Sequence, residues 1–136
     1  MMSIDNFHLL IDFALCVVLW LVQLVIYPSF RWIQKEALTD WHSTYTFRVS
    51  FVIIPLMLTQ LILSIVTVVS PSRQPIDGMI LALVIIAWIL TFFVSVPLHR
   101  KIEEGRDTER AISELINTNW PRTIVWSLIF AAALLR

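Results

Sequence analysis

An all-α integral membrane fold, a four-helix bundle in one domain over residues 1–136, is predicted by three observations. Four apolar stretches, residues 7–30, 47–70, 79–98 and 120–135, fill most of the chain. Hydrophobic residues make up 58% of it and charged residues 15%, against about 25% charged in an ordinary soluble domain. The runs are continuous rather than alternating, which argues against a transmembrane barrel. Lipid offers no partner to a free backbone N–H, so a long run outside a barrel must be helical.

The first span follows Met-Met-Ser-Ile-Asp-Asn, which has no Lys or Arg and no small-residue cleavage site, so a removable signal peptide is not expected. Its helix is expected to end near Tyr27 and Pro28, because proline biases the preceding residue away from helix. Asp40 and Ser43 both fit as N-caps of the second helix. Residues 70–78, rich in Ser, Pro, Asp and Gly, form a tight connection to the third. Pro55 and Pro97 lie inside apolar runs, where each would kink or end its helix.

Residues 99–119 hold a short amphipathic helix, with Ala111, Ile112, Leu115 and Ile116 on one face and Arg110, Ser113, Glu114 and Asn117 on the other. It would lie on the membrane surface or pack on the bundle end. The last span has 16 residues, about 24 Å of helix, short of a ~30 Å hydrocarbon core. It would gain length from preceding residues, thin the membrane or pack on a partner.

Charge sets the orientation. The first and third loops with their flanks carry Arg31, Lys35, Arg48, Arg100, Lys101, Arg106, Arg110 and Arg122, whereas the opposite side carries Arg73 and Arg136. Both termini are therefore expected outside and the two long loops in the cytoplasm; a bacterial inner membrane, with a periplasmic outer side, is the expected location. The net charge of zero and the lack of a basic run give nucleic-acid binding no support. With Cys16 as the single cysteine, neither an intramolecular disulfide nor a cysteine metal cluster can form. Phosphate loops, nucleophile elbows and the HExxH motif are absent.

Polar residues inside the spans recur at helical spacing. His8, Asp12, Cys16 and Trp20 share a stripe continued by Gln23 and Tyr27; His42 and Gln60 share another. Trp88, Thr91, Ser95 and His99 form a third, and Asn119, Arg122, Thr123 and Trp126 a fourth, so the stripes are expected to face one another. His8 and Tyr27 are 19 residues apart, about 28 Å of helix, so the three histidines cannot meet in one site.

Two candidate sites follow. At the outer end, His8, Asp12 and Gln60 would hold a metal ion, a proton or a polar head group, or simply pair at the interface. At the cytoplasmic end, His42 and His99 come from different helices, as the two axial ligands of a membrane haem do. Arg48 and Arg122 would then meet the propionates, or, with Tyr27 and Asn119 nearby, build an anion or head-group site. Three function classes fit: a redox or oxygenase-like membrane protein acting on a lipophilic molecule, a non-catalytic accessory subunit, or a small transporter. The expected partners are the bilayer, a small lipophilic ligand and either a second copy or another membrane subunit.

Several strings resemble a family of small, uncharacterised bacterial four-helix membrane proteins. They are His8-Leu-Leu, Val22-Gln-Leu-Val-Ile-Tyr-Pro-Ser-Phe30, His42 with Pro55-Leu-Met, Val96-Pro-Leu-His-Arg-Lys-Ile, Gly105, and Asn119-Trp-Pro-Arg-Thr-Ile-Val-Trp126. More loosely, the layout is similar to the DUF1772, or anthrone-oxygenase-like, membrane proteins, in which a four-helix bundle is linked to cofactor-free oxygenation of polycyclic phenols. In the closer family an acidic residue commonly follows the Pro-x-Met string, where this chain has Gln60. The resemblance implies that a ligand or proton role of that acid is weakened or lost here. It points to His8, Gln23, Tyr27, His42, His99, Asn119 and Arg122.

Overall fold

The computed structural model describes residues 3–136. Four helices hold most of them: α1 (Ile4–Trp32), α2 (Lys35–Val69), α3 (Pro75–Glu103) and α4 (Thr108–Ala133), with no strand among the described residues. At 1.5 Å per residue, the first three, of 29, 35 and 29 residues, reach about 44, 52 and 44 Å, and each is long and apolar enough to cross a membrane. Consecutive helices pack side by side and α4 returns against α1.

Each helix is longer than the apolar runs suggest, for reasons both local and tertiary. Ser3 caps α1 by accepting a hydrogen bond from the Asn6 N–H at 3.1 Å. Pro28 does not end that helix. The turn before it, Val22–Ile26, widens to a π-helix, and Thr91–Ser95 does the same ahead of Pro97 in α3. Proline lacks an N–H and crowds the carbonyl four residues back; a wider turn absorbs both defects and lets the helix continue. Pro55 and Pro121 also lie within continuous helix.

Helix α2 starts at Lys35, so neither Asp40 nor Ser43 is its cap. Its first turns are held by burial of Leu38 and His42, a tertiary gain that local capping signals do not show. The amphipathic segment of the third loop is likewise no separate helix. It is the first half of α4, which runs on through Pro121. Ala111, Ile112 and Leu115 bury against Tyr27, Phe30, Leu38, Leu98 and Ile102, so the packed placement is the one observed. At 26 residues, or about 39 Å, α4 gains its length from the residues before its apolar run.

The α3–α4 turn is sharp because Gly105 sits at φ +66, a left-handed conformation open to glycine. Arg106 N–H bonds the Lys101 carbonyl at 2.9 Å and Gly105 N–H the Ile102 carbonyl at 3.0 Å, the Schellman pattern that closes a helix end. Lys35 pairs with Glu109 across the same end. Their hydrogen bond holds the Glu109 carboxyl below its ordinary range. Both groups are exposed, so this pair guides the turn more than it stabilises the fold.

The interior has two apolar layers. One, built on Leu15, Leu19, Met57, Ile80, Val84 and Ile129, fills the middle and one end. The other, around Phe30, Leu98, Ile102 and Leu115, fills the end bearing the α1–α2 and α3–α4 turns. The outer surface is apolar as well: Phe13, Leu24, Phe51, Ile62, Phe93 and Leu128 are all exposed. His8, Asp12, Gln23, His42, Gln60, Asn119 and Arg122 are buried. Polar groups inside and large hydrophobes outside invert the soluble pattern.

Candidate functional site

The buried polar residues form two clusters at opposite ends, bridged by one tryptophan. At the end bearing the α2–α3 turn, Gln60 Nε2 donates to Asp12 Oδ1 at 2.8 Å, and its Oε1 accepts from Trp126 Nε1 at 3.2 Å. His8 Nε2 lies 3.2 Å from Ser64 Oγ and 3.8 Å from Asp12 Oδ1. His8, Asp12 and Gln60 are thus brought together as the helical phases predict.

That cluster is closed by groups the sequence reading did not connect to it. Arg136 reaches His8 Nδ1 at 3.2 Å and Asp77 Oδ1 at 3.5 Å. Asp77 in turn accepts the Gln74 backbone N–H at 2.6 Å, at the start of α3. The Gln74-Pro75-Ile76-Asp77 spacing is a helix-start signal from which Asp77 could be found; nothing local points to Arg136. Among the described residues, no three His, Cys, Asp or Glu side chains gather as a metal-ligand set. Both His8 nitrogens and Asp12 Oδ1 are engaged with protein groups, leaving Asp12 Oδ2 without one.

At the other end, His42 and His99 meet directly. His99 Nδ1 lies 2.9 Å from His42 Nε2, and His99 Nε2 lies 3.0 Å from the Tyr27 hydroxyl. Two axial ligands of one iron face each other across a porphyrin; here the imidazoles are hydrogen-bonded to each other, with ring centroids 5.0 Å apart. As placed, the two form a directly contacting histidine pair, and they would have to part to flank a porphyrin. His42 Nδ1 faces Glu103 Oε1 at 3.7 Å, and Glu103 accepts the Thr46 hydroxyl at 2.7 Å. Glu103 escaped the sequence reading, although it lies one turn beyond His99 on the same helix face.

Arg122 is the remaining element. It is 3% exposed. One terminal nitrogen donates to Ser95 Oγ at 2.9 Å and Asn119 Oδ1 at 3.0 Å; its guanidinium lies 5.5 Å from the centre of the Trp126 ring, and its Nε has no partner. No carboxylate among the described residues pairs with it. Asn119 is held by Gln23, whose Oε1 accepts its amide at 2.8 Å. Arg48, expected beside Arg122, is exposed and belongs to no part of this cluster.

These groups end a groove of about 350 Å³ between α2 and α3. Val49, Ile53, Met57, Phe92 and Val96 line its length, and Tyr27, His99 and Arg122 lie at its polar end. Trp126 touches both clusters, through Gln60 and through Arg122. This accounts for a tryptophan too deep to be an interfacial anchor.

The Glu103 carboxylate facing His42 favours a proton on His42 Nδ1. His42 Nε2 then accepts from His99 Nδ1–H, and His99 Nε2 accepts from the Tyr27 O–H. Each donor in the line thereby points from the groove toward Glu103, which is exposed.

The resemblance to bacterial four-helix membrane proteins rests on the short strings alone, and that to anthrone-oxygenase-like ones on layout alone. No family model matches this chain, and no curated protein or solved structure is significantly similar to it.

Proposed function

We propose that this chain is a four-helix bundle of a bacterial inner membrane that binds a small lipophilic molecule between α2 and α3. The ligand's apolar body lies along Val49, Ile53 and Phe92, and its polar head meets Tyr27, His99 and Arg122. The groove carries the reading: an apolar channel of about 350 Å³ leads to a polar cluster assembled from all four helices. Ligand sites are commonly apolar clefts with a few convergent polar groups at one end.

Support for the membrane setting comes from the exposed apolar surface and three helices of spanning length and composition. In this reading α4 crosses with its apolar second half. The excess of Lys and Arg at the α1–α2 and α3–α4 turns supports a cytoplasmic position for that end. Ile54, Phe92 and Val96 are exposed at the groove, so a ligand enters it from the hydrocarbon side.

The Tyr27–His99–His42 line gives the site acid–base capacity without a bound group. Equilibrium binding of radiolabelled dodecanol and dodecanoic acid to protein in mild detergent tests the reading. At least one probe is expected to bind saturably, one per chain, and Val49→Trp, which fills the groove, is expected to weaken it at least tenfold. Partition proportional to detergent alone, identical in the Val49→Trp protein, would rule the groove out.

A further inference from the structure

We infer that the molecule bound in this groove is a single-chain carboxylic acid, held as its carboxylate by Arg122. This rests on the groove being a ligand site and adds the chemistry of the head group. A guanidinium taken out of water is costly unless an anion compensates it. The protein supplies Arg122 with neutral acceptors only, Ser95 Oγ and Asn119 Oδ1, and leaves Nε free. The other buried cation, Arg136, has Asp77. The missing counter-charge therefore has to come from the groove. A planar carboxylate matches the planar fork of arginine.

The groups around Arg122 fit this assignment. The ionisable or charged side chains lining the groove with it are Tyr27 from α1, Tyr45 from α2, and His99, Arg100 and Glu103 from α3. Glu103 forms no ion pair with Arg122 and lies against His42, on the far side of the histidine pair from Tyr27. Of the remaining ten lining residues six are apolar, enough to receive an alkyl chain, and four are hydroxyl-bearing, Thr46, Ser50, Thr91 and Ser95.

The same geometry gives the acid's proton a way out. An acid in the hydrocarbon arrives neutral. Its O–H bond breaks with the electron pair left on the carboxylate, and the proton passes to the Tyr27 oxygen as Tyr27's own proton moves to His99 Nε2. His99 Nδ1 then hands a proton to His42 Nε2, and the Glu103 carboxylate, 3.7 Å from His42 Nδ1 and short of a hydrogen bond at rest, closes on it to take the last one. One proton passes from the acid to the exposed Glu103 at the rim of the groove; the acid becomes a carboxylate, Glu103 becomes neutral, the groups between them stay neutral, and Glu103 then loses the proton to water.

Carboxyl-labelled ¹³C dodecanoic acid tests this, because its carbon shift reports ionisation. The bound acid is expected to titrate about 1–3 units below the same acid in empty micelles. Arg122→Lys is expected to retain most of that shift and Arg122→Gln to lose it. Dodecanol is expected to compete at least tenfold more weakly than dodecanoate. Equal competition by dodecanol, with the acid titrating as in empty micelles, would overturn the carboxylate assignment while leaving the groove as a site for neutral lipophiles. Stronger competition by dodecyl phosphate would overturn it in favour of a lipid phosphate. Absence of saturable binding by dodecanoate and dodecanol alike would remove both readings. For the exit route, Glu103→Gln is expected to slow proton release on mixing, read with a pH indicator; an unchanged rate would overturn that route.

Discussion

Gln60 shows how one side chain can hold the buried polar line together. Its amide donates to Asp12 and its carbonyl accepts from Trp126, so both ends of the group are spent. Hydrogen bonds between membrane helices average only about 0.6 kcal/mol. Leaving a buried polar group without a partner costs more, about 1–3 kcal/mol. Gln60→Leu strands Asp12 Oδ1 and Trp126 Nε1 together and is expected to lower stability by about 2–4 kcal/mol, read as the SDS-unfolding midpoint. The double variant Asp12→Leu/Gln60→Leu removes the stranded carboxyl as well and is expected to lose less than Gln60→Leu alone, a coupling that marks residues in direct contact. Helical phase brought His8, Asp12 and Gln60 together on paper, and it paired His42 with His99. It also shows why Arg48 is exposed: six residues past His42 is about 240° further round the helix. Glu103 was legible at the same spacing, since it follows His99 by one turn. Arg136, 128 residues from His8, was not, because no local rule relates two residues at that separation.

At the scale of elements, the two π-turns decide which residues face the site. Each places one extra residue in a turn just ahead of a proline, and Tyr27 and His99 both lie beyond such a turn. Deleting exposed Val25 from the first should return that turn to α geometry and keep Tyr27 near its present direction. A one-residue deletion at exposed Phe13, in regular helix, rotates the preceding turns by about 100° and takes His8 and Asp12 away from Gln60. The Val25 deletion is therefore expected to yield monodisperse, helical protein, and the Phe13 deletion to aggregate or lose stability. Size-exclusion chromatography with far-ultraviolet circular dichroism compares them. The proline positions were plain in the sequence. Whether a proline ends, kinks or widens a helix depends on what packs beyond it: here Phe30 and Leu98 are buried and reward a continuous helix.

For the whole molecule, the reading of four spans with the two charged turns in the cytoplasm makes a direct prediction. In a Cys16→Ser background, a cysteine at Ser72 is expected to react with a membrane-impermeant maleimide in intact cells. One at Arg106 is expected to react only after the cells are opened. The reverse pattern would invert the orientation, and labelling at both positions in intact cells would reject the four-span arrangement. Cys16 is partly buried near Ser127, so its removal is expected to perturb the fold little.

While the structure makes three of the helices long and apolar enough to span, the sequence alone determined the helical class, the four apolar stretches and the rough division of polar residues between two ends. These follow from composition and from the 3.6-residue period, which are local properties of the chain. Tertiary structure decided that the two histidines lie within hydrogen-bond distance of each other, and that Arg136 and Asp77 close the cluster at the opposite end. It decided, too, that the amphipathic segment is the base of α4 and that Arg122 ends a groove with no carboxylate beside it. Each of these outcomes depends on how helices far apart in the chain are brought together, and on which buried charge is left for something else to neutralise.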